Sequence, residues 1–148
     1  MQENEKVTFT KNLLNPMFSI QLKVRDYECD MQGIVNNAVY QNYLEHARHE
    51  FLLANGLSFA RLTSEGILLV VKRIEIDYQS PLRSGESFEV YCSTTRISPL
   101  RFAFIQKIVR LPDHKLVVEA KVIGTSINTQ GRPFLPKVVD EFFGQSTP

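Results

Sequence analysis

One stretch of the chain, Ala38 to Asn55, spaces its apolar residues as a helix does, and nearly every other regular stretch alternates in twos. Val39, Tyr43, Ala47, Phe51 and Ala54 fall along one side of it, with Tyr40, Leu44 and Leu52 on the flanks. Glu45, Arg48, His49 and Glu50 supply a polar side. Asn36 or Asn37 is suited to cap the first turn, and Gly56 to end the last in a left-handed conformation. The alternating stretches are MFSIQLKVRDYE before the helix and ILLVVKRIEIDYQ, SFEVYCSTTRI, RFAFIQKIVRL and LVVEAKVIGTSIN after it. LSFARLTSEG reads as a short helix or turn, capped by Ser58 and closed by Gly66, and PKVVDEFF as a final helical turn with Pro136 at its start. A strand, one long helix and four strands joined by short turns predict antiparallel neighbours and an α+β fold. The helix, as the largest apolar surface, must cover one face of the sheet. The other face has less to cover it, which leaves room for a partner chain.

A length of 148 residues suits one domain. Residues 1–16 read as a loosely attached arm, and 17–148 as a single domain. A net charge of +1 gives no broad basic field to attract nucleic acid or an anionic membrane. The N-terminal sequence lacks the basic start and apolar run of a secretory signal, and no segment has the uninterrupted apolar length of a membrane span. Cys29 and Cys92 stand in neither CxxC nor zinc-type spacing, so they read as free thiols in a reducing compartment, with the cytoplasm as the default address and no metal expected.

Between the first strand and the helix lies DMQGIVNNAVY, which sets a single carboxylate, Asp30, ahead of a helix start with Gly33 between. An Asp before a Gly is ordinary turn chemistry, and an Asn pair before a helix is ordinary capping. The same arrangement also suits a nucleophile or base beside the unpaired N–H groups and positive dipole end of a helix.

The longer run RDYECDMQGIVNNAVYQNYLEHAR resembles the signature of the hot-dog-fold thioesterases of the 4-hydroxybenzoyl-CoA thioesterase type. VVKRIEIDYQSPLRSGESFEVYC resembles that family's second strand, turn and third strand, and GRPFLPKVVDEF its closing segment, so the similarity runs from about Phe18 to Phe143. The resemblance implies a five-stranded antiparallel sheet wrapped round the long helix, and a homodimer that joins two sheets, often assembled into a homotetramer. It also implies hydrolysis of an acyl-CoA or acyl-carrier-protein thioester near the subunit boundary, with no cofactor beyond coenzyme A as part of the substrate. Asp30 matches the catalytic carboxylate, acting as nucleophile through a mixed anhydride or as general base for water. Gly33, Ile34, Val35, Asn36, Asn37 and Tyr40 then fall beside the substrate, with the Asn37 backbone N–H as donor to the thioester carbonyl oxygen. Gly33 permits a tight bend and close backbone approach. Many relatives carry an aromatic residue or His where this chain has Asn36 and Asn37, a departure that bears on substrate and rate more than on reaction type.

Other residues carry weaker signals. His46 and His49 share a helix face without a third ligand at telling spacing, and read as a solvated face. Glu45 reads first as a solvated or ion-paired residue, and second as a catalytic helper. Asp26, Glu28 and Asp30 would share one side of a continuing strand, but a strand ending near Asp26 would separate them. Arg73, Arg96, Arg101 and Lys107 are the cations available for coenzyme A phosphates, Arg73 and Arg101 foremost. Ser80 and Ser98 read as turn residues. Two rivals remain: a hydratase on the same fold, which usually wants a His beside the acid, and a non-catalytic acyl-CoA or acyl-carrier binding protein.

Overall fold

Asn36 sets where the long helix begins. Its backbone is extended (φ −62°, ψ 137°) and its Oδ1 accepts the Ala38 N–H at 2.9 Å, so helix α1 runs Asn37–Ala54, one residue earlier than the spacing predicts. At the other end Gly56 takes φ +80°, which turns the Leu57 N–H back onto the Leu52 carbonyl at 2.8 Å. The computed structural model describes residues 18–144, and the arm expected at residues 1–16 lies outside them. Around α1 lie β1 (Phe18–Lys23), α2 (Phe59–Ser64), β2 (Leu68–Tyr78), β3 (Ser87–Ser98), β4 (Arg101–Arg110), β5 (Leu116–Ile127) and α3 (Lys137–Gly144). Ser58 caps α2 through its side chain, as expected.

The strands form one antiparallel sheet in the order β1-β3-β4-β5-β2. This corrects one expectation: β2 and β3, though joined by a short link, are not neighbours. β2 pairs with β5 at the far edge, and residues 79–86 carry the chain across to β3. Three strand spacings of about 4.8 Å separate the two, well within reach of eight extended residues. Leu82 is the reason the link crosses over. It is fully buried in the core, its N–H donates to the Tyr40 hydroxyl at 3.1 Å, and its carbonyl accepts the Val35 N–H at 2.9 Å.

The sheet curls about α1 in the hot-dog arrangement. The first half of α1 (Tyr40, Tyr43, Leu44, Ala47) packs with Phe88, Val90, Ile108 and Val118. Phe51 in the second half packs with Phe102, Phe104 and Val122, and α3 closes that end with Val139 and Phe143. The rings of Phe102 and Phe143 stack at 3.8 Å. Each such Phe, fully buried, contributes about 2–3 kcal/mol. Two helix positions differ from the expected faces. Ala54 is exposed. Arg48, expected on the polar side, is buried and donates from Nη1 to Gln106 Oε1 of β4 at 3.1 Å.

Candidate active site

β1 ends at Lys23, and a single 3-10 turn over Asp26–Glu28 breaks the alternation that would have lined up three carboxylates. Asp26 stays exposed. Glu28 turns inward, where its Oε1 accepts the Tyr43 hydroxyl at 2.7 Å and the Arg25 N–H at 2.9 Å. Asp30 opens a tight loop held by its own N–H to the Ile34 carbonyl (2.8 Å) and by the Gly33 N–H to its carbonyl (3.0 Å). Gly33 takes φ +82°, and a Cβ there would meet nothing within 4 Å. The glycine is therefore required by backbone conformation and not by crowding.

The Asp30 carboxylate is exposed, and its Oδ1 accepts the Gln32 N–H at 2.8 Å. The turn chemistry read from the sequence is thus present. It occupies one oxygen only; Oδ2 has no donor among the described residues. A short bridge pairs Cys29 with Val35 and another pairs Ile34 with Arg83, which docks this loop on the crossover. At the helix start the Asn36 side chain takes the Ala38 N–H and the Asn36 carbonyl takes the Val39 N–H at 2.9 Å. The Asn37 N–H is left without an acceptor among the described residues, as the first N–H groups of a helix are.

Asp30, Ile34, Val35, Asn37 and Tyr40 face Tyr78, Gln79, Ser80 and Pro81 across an open concavity of about 410 Å³. Gly33 and Asn36, expected beside the substrate, do not line it. The Tyr78 hydroxyl donates to the Asn37 carbonyl at 3.2 Å and its ring tilts against Tyr40 at 5.7 Å. Burial pushes the Tyr40 phenol up, with the Leu82 N–H pulling the other way, and burial with the Glu28 carboxylate pushes Tyr43 up further. Both phenols are therefore neutral across the physiological range. The residues missed from sequence are the Tyr78–Pro81 run, among them Ser80. Their signal was position alone, directly after a strand whose partner the sequence did not reveal.

The cations do not converge here. Arg73 lies on β2 about 16 Å before Tyr78 and pairs with Glu75 at 3.2 Å. Arg101 is exposed at the start of β4. Neither borders the Asp30 concavity within this chain. Arg96 ties α3 to β3 through Asp140 and the carbonyls of Ser98 and Pro99. Glu45 and His49 line a different pocket, and exposed His46 lies near Tyr43. Among the described residues no three His, Cys, Asp or Glu side chains are placed to hold a metal ion, and no helix is long and apolar enough to cross a membrane.

The model of the thioesterase-like superfamily matches residues 24–143. The chain is 40% identical over 126 residues to a chloroplastic acyl-acyl carrier protein thioesterase of Arabidopsis thaliana, covering 84% of this chain and 67% of that protein. With a second Arabidopsis thioesterase of that name the identity is 38%, over 81% of this chain and 63% of the relative. The chain thus spans about two thirds of the length of these relatives. The long-chain acyl-CoA thioesterase FadM of Escherichia coli is 31% identical over 102 residues, 69% of this chain and 76% of its own. Among solved structures, a hypothetical protein of Aquifex aeolicus superposes with a TM-score of 0.80 at 28% identity, over 85% of this chain and 98% of that one. A probable thioesterase of Escherichia coli gives 0.75 at 28% identity, over 86% and 97%.

Proposed function

Because the chain belongs to the thioesterase-like superfamily, we propose that it hydrolyses an acyl thioester, carried by coenzyme A or acyl carrier protein, to the free acid and the thiol. The observation that carries this reading is the Asp30 carboxylate with one uncommitted oxygen on the concavity that also receives the helix start at Asn37. The thioester carbonyl oxygen accepts the Asn37 N–H, where the helix dipole favours the negative charge that develops on it. Asp30 then acts in one of two balanced ways. As general base it takes a proton from water as the water oxygen bonds to the carbonyl carbon and the C–S bond breaks. As nucleophile it bonds to that carbon itself, expels the thiolate, and the mixed anhydride is hydrolysed by water. The thiolate leaves readily in either case and takes up a proton from solvent.

The long edge of β2, unpaired among the described residues, supports a homodimer by sheet extension, alone or within a tetramer. The phosphates of coenzyme A would fall to Arg73 or Arg101 only if a second subunit brings them to the site. The two free thiols, Cys29 and Cys92, favour a reducing compartment such as the cytoplasm.

The test is thiol release from a panel of acyl-CoA and acyl-carrier thioesters by the wild type and Asp30→Asn. We expect turnover by the wild type and a loss of about a hundredfold or more in the variant. Equal rates would remove Asp30 from the chemistry. Tight binding with no release by either protein would replace hydrolysis with an acyl-thioester binding role. A single turnover in heavy-oxygen water tests the nucleophile route, since label enters Asp30 only through an anhydride opened at the Asp30 carboxyl carbon.

A further inference from the structure

A second pocket, of about 90 Å³, lies between the latter half of α1, α2 and the start of β2. From Asn37 to Arg48 is about 16 Å along the helix, so the pocket is separate from the Asp30 concavity. Its walls are mostly apolar, with Leu52, Phe59, Leu69, Phe104 and Val122 among them, and Glu45 and His49 add polar groups to the lining. Into these walls the fold sets a full charge: Arg48, at 9% exposure.

A buried guanidinium normally has a carboxylate for company. Arg48 forms no ion pair among the described residues. Its polar contact is the neutral Gln106 amide at 3.1 Å, itself held by the Leu44 carbonyl at 3.0 Å, and its Cζ lies over the Phe104 ring, 5.9 Å from the centroid. Cys92, close by, cannot serve as counter-charge, because burial pushes its thiol up and keeps it protonated. Glu45 sits on the exposed rim and acts from longer range, where water screens it. Only one of the five guanidinium N–H groups is accounted for by Gln106. None of the Arg48 nitrogens is both sealed from solvent and without a partner, and Arg48 lines this pocket. Burial also pulls the Arg48 guanidinium down, a cost to the charged form that an anion would offset.

We infer that this pocket binds the carboxylate of an aliphatic acid, with the Arg48 fork on the carboxylate and the apolar walls around the chain. The planar fork matches a carboxylate, and the walls match the hydrocarbon behind it. This is the class of compound that the proposed hydrolysis releases, and the inference rests on that reading only for the acid's origin. The acid has two possible sources: free product bound as an effector, or a carboxyl at the far end of an acyl chain whose thioester is at Asp30.

Calorimetry with octanoate and octanol tests the site without reference to turnover. We expect octanoate to bind the wild type about tenfold tighter than octanol, and Arg48→Gln to remove that preference. Leu69→Trp, which fills the pocket from β2, should abolish binding of both. Equal binding of octanoate and octanol to the wild type would overturn the inference, and this comparison stands even if Arg48→Gln does not fold. Undiminished octanoate binding by a folded Arg48→Gln would overturn it as well. Kinetics then identify the source. Inhibition by octanoate that does not yield to higher substrate, and that Arg48→Gln lacks, marks free product. Faster turnover of a dodecanedioyl than a dodecanoyl thioester, again lost in Arg48→Gln, marks a distal carboxyl. If neither thioester turns over while octanoate still binds, hydrolysis fails and the carboxylate site stands.

Discussion

Glu28 and Tyr43 hold the base of the loop that presents Asp30. The Glu28 side chain is 10% exposed, and Tyr43 gives it a hydroxyl at 2.7 Å. That bond and burial together keep the Tyr43 phenol protonated well above its ordinary value of 10.0, and burial does the same for Tyr40 and for the Cys92 thiol, ordinarily 9.0. In the unfolded chain all three return to ordinary values. Below these the native and unfolded states hold the same protons, and stability is complete. Above them the unfolded chain releases protons that the native chain retains, so stability falls as pH rises. Urea unfolding should give a constant free energy from about pH 7 to pH 8.5, and a decline beginning near pH 9 and steepening past pH 10. Tyr43→Phe should lower stability at neutral pH by about 1–2 kcal/mol, since Glu28 loses a donor, and should flatten the alkaline limb. An unchanged limb in that variant would mean that Tyr43 ionises as freely in the native protein as in water.

At the scale of elements, the junction between the Asp30 loop and α1 serves stability and chemistry through different atoms. Asn36 caps the helix with its side chain, and Asn37 offers the free N–H. Asn36→Ala should cost about 1 kcal/mol, or about 3 °C in melting temperature. Asn36→Asp keeps the cap and should keep the melting temperature, yet its negative charge beside the developing oxyanion should slow thiol release by about tenfold. A variant that melts normally and hydrolyses normally would detach the helix start from the chemistry. Much of this junction was legible, because capping and left-handed glycine are local requirements that single residues meet. The strand pairing was less legible. A Pro/Gly-rich link between β2 and β3 looks the same whether it makes a hairpin or a crossover, and only Leu82, one apolar residue within it, marks the segment that dives through the core. Arg48 escaped for a similar reason. Periodicity places a charged residue on the outside, and what keeps this one inside is Gln106, 58 positions away. Tyr78 to Pro81 were missed with the crossover, since they join the site only once β2 is known to lie at the edge beside α1.

At the scale of the molecule, β2 is the longest open edge among the described residues: an edge strand of 11 residues with Val71 and Tyr78 each 49% exposed. Long exposed edges invite pairing, and natural chains usually blunt them with charge. Here the charges are sorted: Lys72 and Arg73 precede Ile74, and Glu75 and Asp77 follow it. A second copy pairing antiparallel about Ile74 would set the basic half of one strand against the acidic half of the other, with Arg73 opposite the partner's Glu75. Opposite charges across such a pair are favourable and like charges are not, by up to about 1 kcal/mol each. The two-fold symmetry would count the contact twice. Arg73→Glu should therefore weaken the dimer by about tenfold in dissociation constant, measured by sedimentation equilibrium, and Arg73→Glu with Glu75→Arg should restore it. The single variant should also make the melting temperature less dependent on protein concentration, because unfolding is linked to dissociation in a dimer and not in a monomer. If the double exchange fails to recover what the single one loses, the two strands do not meet about Ile74. A wild type that sediments as a monomer would leave the β2 edge without a second copy, and the concavity at Asp30 would have to serve the reaction alone.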